Sequence, residues 1–98
     1  MKIETEKVIE FLRNSDKNEK FNPNSMNDCL IARYLKANEV EFLKVTFFVV
    51  EHWLGAATIP KELGMFIREL VCYTKDITGL FEITFGEALK MWENRDEN

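Results

Sequence analysis

Thirteen residues in the middle of the chain form its most apolar run and read Phe42-Leu43-Lys44-Val45-Thr46-Phe47-Phe48-Val49-Val50-Glu51-His52-Trp53-Leu54. The run is rich in valine and phenylalanine. Such β-branched and aromatic side chains lose rotamer freedom in a helix and pack well on a pleated sheet, so the run predicts a strand. A helical alternative stays open, because apolar residues also recur at helical spacing. They are Val40, Leu43, Phe47, Val50 and Leu54.

Alternate positions of this run differ in chemistry. One set is apolar apart from Glu51, and its members are Leu43, Val45, Phe47, Val49 and Trp53. The other set is mixed and comprises Lys44, Thr46, Phe48, Val50 and His52. We therefore expect a strand with one buried face and one partly covered face. A change of apolar parity at residues 42–43 predicts a bulge or irregular step before it. Residues 55–57 predict a turn, and residues 58–59 a short return strand.

Four helices are predicted around this strand. The first runs from Thr5, its expected cap, to about Asn14, and the second from Met26 to Ala37 behind a Ser25–Asp28 capping box, with Asn38 as a left-handed stop. The third begins at Pro60, and its apolar stripe comprises Leu63, Phe66, Ile67, Leu70 and Val71. Gly64 within it indicates a closely packed neighbour. Thr84 caps the fourth helix in a capping box with Glu87. Phe21 is expected to anchor a polar loop over residues 14–22.

These elements predict an α+β fold, with about four helices packed on a small antiparallel sheet of two or three strands. A chain of 98 residues suits one domain over residues 1–98, with residues 93–98 as a frayed tail. A connection with turn chemistry at residues 76–79 is expected between the last two helices.

The composition argues against several classes of function. The net charge of −4 gives the chain no general attraction for nucleic acids or anionic membranes. No apolar run reaches the ~20 residues of a membrane span, and no leader is evident. Cys29 and Cys72 are expected to be free thiols in a reducing compartment. We expect the cytoplasm, either of a cell or of the host of a virus.

One pair of residues could support nucleophilic chemistry. Cys29 near the start of a helix and His52 on a strand could form a Cys-His site, oriented by Asn24 or Asn27. Asp28 opposes this, since its charge disfavours a neighbouring thiolate. We therefore expect no enzymatic activity, with a Cys-His hydrolase as an alternative. No spacing typical of a metal site or of a phosphate-binding loop is present, and no cofactor is expected.

The candidate binding residues fall in two parts of the sequence. Glu51, His52 and Trp53 end the apolar run, and a tryptophan beside titratable groups is typical of a pocket or an interface. Tyr34 and Arg33 belong to the second helix, where Lys36 and Lys44 could add a basic spot for an anionic ligand. Each set has a plainer interpretation as core closure or as a solvated helix face.

The leading hypothesis is a non-enzymatic protein that binds another macromolecule, as a small inhibitor or adaptor. Its partner would be a protein, for instance a host protein with a basic surface, and homodimerisation through the sheet edge or the Trp53 end is a further option. A binder or sequestering protein for small ligands such as nucleotides is the alternative. Residues 27–35, followed by the apolar run and residues 84–89, resemble small accessory proteins of phages and bacteria in general style, without implying an activity.

Overall fold

The computed structural model describes residues 2–78 and 81–95. Within these ranges the helices and strands are α1 (Thr5–Asn14), β1 (Lys20–Phe21), α2 (Leu30–Ala37), β2 (Lys44–Val45), β3 (Val49–His52), β4 (Gly55–Thr58), α3 (Lys61–Tyr73), a π-helix (Thr74–Thr78), β5 (Ile83–Thr84) and α4 (Phe85–Asn94). The strands form two antiparallel sheets, one in the order β2-β3-β4 and one of β1 with β5. The predicted α+β class is confirmed.

The central run is extended, as predicted, but it does not form one strand. β2 and β3 are separated by a tight turn at Phe47–Phe48, so that Val45 pairs with Val50. Both valines are buried, although the alternation assigned them to opposite faces. The turn reverses the chain within two residues, so the strand alternation starts again after it. The prediction of a single apolar face was therefore wrong.

The return strand begins earlier than expected. Trp53 and Leu54 form the turn, and residues 55–57, predicted as a turn, belong to β4. The irregular step lies where the parity change indicated it. The Leu43 N–H donates to the Glu51 carbonyl (2.7 Å), although the register places Lys44 opposite Glu51. Two residues facing one is the pairing of a β-bulge.

The two long helices α1 and α3 follow the sequence closely. The bounds of α1 are confirmed, although its N-cap is Glu4 rather than Thr5. The apolar stripe of α3 is also confirmed, because four of its five members are buried and Val71 is half-buried. These residues join the apolar side of α1 in one hydrophobic core.

The second helix is shorter than predicted, since α2 begins at Leu30 rather than Met26. The Asp28 carboxylate does not complete a capping box with Ser25. It accepts hydrogen bonds from the Asn22 N–H (2.9 Å) and the Arg33 side chain (2.6 Å). At the other end of α2, Glu39 rather than Asn38 takes the left-handed conformation, with φ of 57°. Backbone bonds from Glu39 to Lys36 and from Val40 to Leu35 complete a Schellman motif.

A second, two-stranded sheet was missed because its strands have only two residues each. β1 lies in the predicted loop and pairs with β5. Phe21 of β1 is buried and stacks on Phe85 of α4 at 4.8 Å between ring centroids, which confirms it as an anchor. The Thr84 cap is confirmed, since its hydroxyl accepts from the Glu87 N–H (3.1 Å). Residues 76–78 of the turn expected at 76–79 belong instead to the π-helix, and residues 93–94 of the tail expected at 93–98 belong to α4. Residue 79 and residues 96–98 lie outside the described residues.

The predicted close neighbour of Gly64 is the turn between β2 and β3. A Cβ atom at position 64 would overlap the backbone carbonyl of Phe47. The absence of a side chain therefore lets α3 contact the hairpin through backbone atoms. The Phe47–Phe48 turn therefore lies against the first half of α3, at Gly64.

Replacing Gly64 with Ala should destabilise the protein by about 1 to 3 kcal/mol, because the added methyl group meets a fixed carbonyl rather than a flexible side chain. This range is the net destabilisation after the gain of about 1 kcal/mol in helix propensity has been subtracted. Urea unfolding measures the net change. Cys72→Ala, at an exposed position of the same helix, is the control and should change stability by less than about 0.5 kcal/mol. A stabilised Gly64→Ala variant would contradict the packing.

Candidate functional site

Two tight hairpin turns present large apolar residues to solvent. The first is Phe47–Phe48 and the second is Trp53–Leu54. The exposed fractions are 68% for Phe48, 74% for Trp53 and 94% for Leu54. Such turns usually contain Gly, Asn or Asp, which tolerate positive φ. Since β3 has only four residues, the two turns lie roughly 13 Å apart, at opposite ends of one sheet.

The Thr46 side chain supports the first turn. Its hydroxyl accepts hydrogen bonds from the backbone N–H groups of Phe48 (3.2 Å) and Val49 (3.1 Å). The Thr46 N–H also donates to the Val49 carbonyl (2.9 Å). These hydrogen bonds stabilise the turn, a role that Gly, Asn or Asp has in most hairpins. The turn is therefore well defined despite its two phenylalanines.

The second turn, which we call the Trp53–Leu54 tip, relies on the residue that follows it. Gly55 has φ of +137°, a conformation that other residues rarely adopt, and neither Trp53 nor Leu54 has a positive φ. The Leu54 N–H donates to Nδ1 of His52 (3.4 Å). Beside it, Glu51 forms an ion pair with Lys44 (3.1 Å). The predicted binding residues Glu51, His52 and Trp53 thus lie together at this end of the sheet.

An apolar groove of about 430 Å³ lies at the C-terminal end of β4, the end away from the Trp53–Leu54 tip. We call it the Phe48 groove, and its lining residues are Phe47, Phe48, Thr58, Ile59, Lys61, Gly64, Met65 and Arg68. Met65 is half exposed within it. Among the described residues that line it, Lys61 and Arg68 are the charged ones. The groove can therefore hold a bulky apolar group next to two cations.

A second groove, of about 330 Å³, lies between the loop that precedes α2 and the end of β2. Its lining includes Met26, Cys29, Val45, Phe47 and Ile67. Phe47 lines this groove and the Phe48 groove, so the two are adjacent. The walls are again mostly apolar, which suits hydrophobic contact better than polar chemistry.

The structure does not bring Cys29 and His52 together as a nucleophile and a base. Cys29 is the N-cap of α2 and is 3% exposed. Burial raises the pKa of its thiol, and the nearby Asp28 carboxylate acts in the same direction. The backbone N–H groups at the start of α2 lower this pKa, but desolvation outweighs them. His52 interacts with Leu54, and no hydrogen bond joins it to Cys29.

Arg33 and Tyr34 contact a different part of the molecule. Arg33 forms ion pairs with Asp28 and Glu19, donates to the Lys20 carbonyl (2.9 Å) and lies over the Phe85 ring. Tyr34 packs edge-on against Phe11. None of these contacts involves the Trp53–Leu54 tip. The residues suggested for one small-ligand site therefore do not converge.

The remaining cations of the predicted basic spot also have partners. Lys36 donates to the Asn27 carbonyl, and Lys44 is paired with Glu51. Arg33 instead joins the loop before β1, the start of β1 and α2 through the contacts above. These side chains stabilise local structure, so the predicted basic spot consists of cations that already have partners.

No protein-family model, no curated protein and no solved structure matches this chain. Within residues 2–78 and 81–95, no group of three His, Cys, Asp or Glu side chains is arranged to hold a metal ion. None of the helices in these ranges has the length and apolar character needed to cross a membrane.

Removing the Thr46 hydroxyl should weaken the first turn. Thr46→Val keeps the shape of the side chain but leaves two backbone N–H groups without their acceptor, so we expect a loss of about 1 to 2 kcal/mol in urea unfolding. Thr46→Ser keeps the hydroxyl and should lose less than about 0.5 kcal/mol. A loss for Thr46→Ser as large as that for Thr46→Val would contradict the assignment of the stability of the turn mainly to the hydroxyl.

Cysteine reactivity should separate the two thiols. At neutral pH a maleimide should modify the exposed Cys72 at least about tenfold faster than the buried Cys29, whose thiol stays protonated. Cys72→Ser should therefore abolish the fast phase, and Cys29→Ser should retain it. Faster labelling of Cys29 would restore the hypothesis of a reactive cysteine.

Proposed function

We propose that this protein acts without catalysis, as a small inhibitor or adaptor that binds another protein through the Trp53–Leu54 tip. The observation that carries the proposal is the exposure of this adjacent pair, 74% for Trp53 and 94% for Leu54, on a two-residue turn of a paired hairpin. Single exposed apolar residues are common on protein surfaces, but a neighbouring tryptophan and leucine form a patch that favours contact with a partner.

The geometry of the tip supports a role in recognition. Tryptophan is enriched among the residues that dominate binding energy, since its ring buries a large area with few rotatable bonds. The β3–β4 ladder holds the base of the tip in place, and the Lys44–Glu51 ion pair lies beside it. Little conformational entropy is then lost when a partner covers the ring.

The charge distribution indicates the kind of partner. The chain carries a net charge of −4, and Glu51 lies next to the tip. An apolar anchor within an acidic protein suits a partner whose apolar pocket lies in a basic surface, because complementary charge speeds their association. A host protein in the cytoplasm, bound by a phage-type accessory protein, is the setting that we propose.

The proposal predicts that the tip is needed to capture a partner. Tagged protein should retain a stoichiometric partner from a lysate of the cells that express it, and the Trp53→Ser/Leu54→Ser double variant should bind that partner at least about tenfold more weakly. Because both side chains are mostly exposed, the double variant should unfold at the same urea concentration as the wild type.

Met26→Ser is the matched control, because Met26 is also a half-exposed apolar residue and lies outside the tip. It should leave the affinity unchanged. Equal weakening by the control and the tip variant would show that general surface hydrophobicity causes the capture. Undiminished binding by the tip variant would overturn the proposal.

A further inference from the structure

We propose that the tip also engages a second copy of this chain, in a dimer formed by antiparallel pairing of two β4 strands. This inference rests on the proposed function, because it names a partner of the same site. The two-fold axis passes beside Ala57, so that Ala57 of one copy lies opposite Ala57 of the other. The other contacts then follow from the register of β4 and from the features at its two ends.

The outer edge of β4 has free backbone groups. The Ile59 N–H donates to the Phe48 carbonyl (2.8 Å), and antiparallel pairs alternate between bonded and non-bonded positions. The backbone N–H and C=O groups of Ala57 therefore point towards β3, whereas those of Ala56 and Thr58 point away from it. In the described part of the chain β4 is the last strand of its sheet, so these groups face outward.

This edge lacks the usual protection against pairing. Natural edge strands are commonly protected by lysine, by proline or by a bulge. β4 consists of Gly55, Ala56, Ala57 and Thr58, and no charged residue lies between Trp53 and Pro60 in a chain of which 31% is charged. A neighbouring strand can therefore approach without desolvating a charge.

A two-fold axis at Ala57 satisfies the free groups of both copies. It places Ala56 of each copy opposite Thr58 of the other, in the bonded type of antiparallel pair. Each of these two symmetry-related pairs exchanges two hydrogen bonds. The small side chains of β4 leave room for this approach. The two three-stranded sheets then join into one continuous sheet.

The ends of β4 make this pairing specific for a second copy. The Trp53–Leu54 tip lies at the beginning of β4, and the Phe48 groove lies at its end. Antiparallel pairing places the beginning of one strand beside the end of the other, so each tip meets the groove of the opposite copy. There the Trp53 ring comes near Lys61 and Arg68, which favours cation–π contact.

An extended segment of another protein could pair with the same backbone groups. Such a segment would not by itself bring an apolar tip to the groove, whereas a second copy fills both grooves at once. The surface is thus self-complementary, as a two-fold interface requires. A heterologous partner that binds the tip must displace the second copy.

The test uses charges that depend on the proposed register. Ala56→Lys/Thr58→Lys places like charges opposite each other across the two-fold axis, whereas Ala56→Lys/Thr58→Glu places opposite charges there. The full-length protein and both variants are compared by sedimentation velocity over concentrations up to the millimolar range. Circular dichroism and urea unfolding check that each variant is folded.

We expect a reversible dimer for the wild type and for the Lys/Glu variant, and a dimer at least about tenfold weaker for the Lys/Lys variant. The Lys/Lys variant has a net charge nearer to zero, so general repulsion cannot explain its weakening. A monomeric wild type, or a dimer equally stable in both variants, would overturn the inference. Loss of partner capture by the tip variant, with a monomeric wild type, would leave the proposed function standing.

Discussion

The contact between Gly64 and the Phe47 carbonyl determines how the central run is divided. Helix α3 can approach the hairpin this closely only where it lacks a side chain, and the backbone carbonyl that it meets there belongs to Phe47 in the turn. With the turn at Phe47–Phe48, Val45 pairs with Val50 and the next turn falls at Trp53–Leu54. The exposed tip, the Phe48 groove and the open edge of β4 all follow from that division.

The parts of the fold that depend on local periodicity could be predicted from the sequence. The stripe of α3, the bounds of α1 and the Thr84 cap each rest on residues within a few positions of one another. A glycine inside a strong helical pattern also indicated a close neighbour. By contrast, β1 and β5 have two residues each, which is too short for any alternation to be recognised.

The turns and the candidate site could be predicted only in part. Phe47–Phe48 contains none of the usual turn residues, and its support comes from the Thr46 hydroxyl, which also suits a strand. The alternation across residues 42–54 therefore looked continuous. Trp53 was identified by its chemistry, but Leu54 and Phe48 were counted as apolar strand residues. The pairing of Arg33 with Asp28 and Glu19, and the burial of Cys29, depend on tertiary contacts that no spacing reveals.

Three exposed features of the sheet together define the partner surface that could cover them. Trp53 and Leu54 expose apolar area to water, and the Phe48 groove is an apolar space beside two cations. In the described ranges no strand lies beside the outer edge of β4, so its backbone groups have no partner strand. A flat apolar partner would cover the tip but not satisfy the edge, and a bare strand would satisfy the edge but not fill the groove. A surface that meets all three needs must combine a strand edge with a projecting apolar tip, and β4 with its preceding turn has that combination.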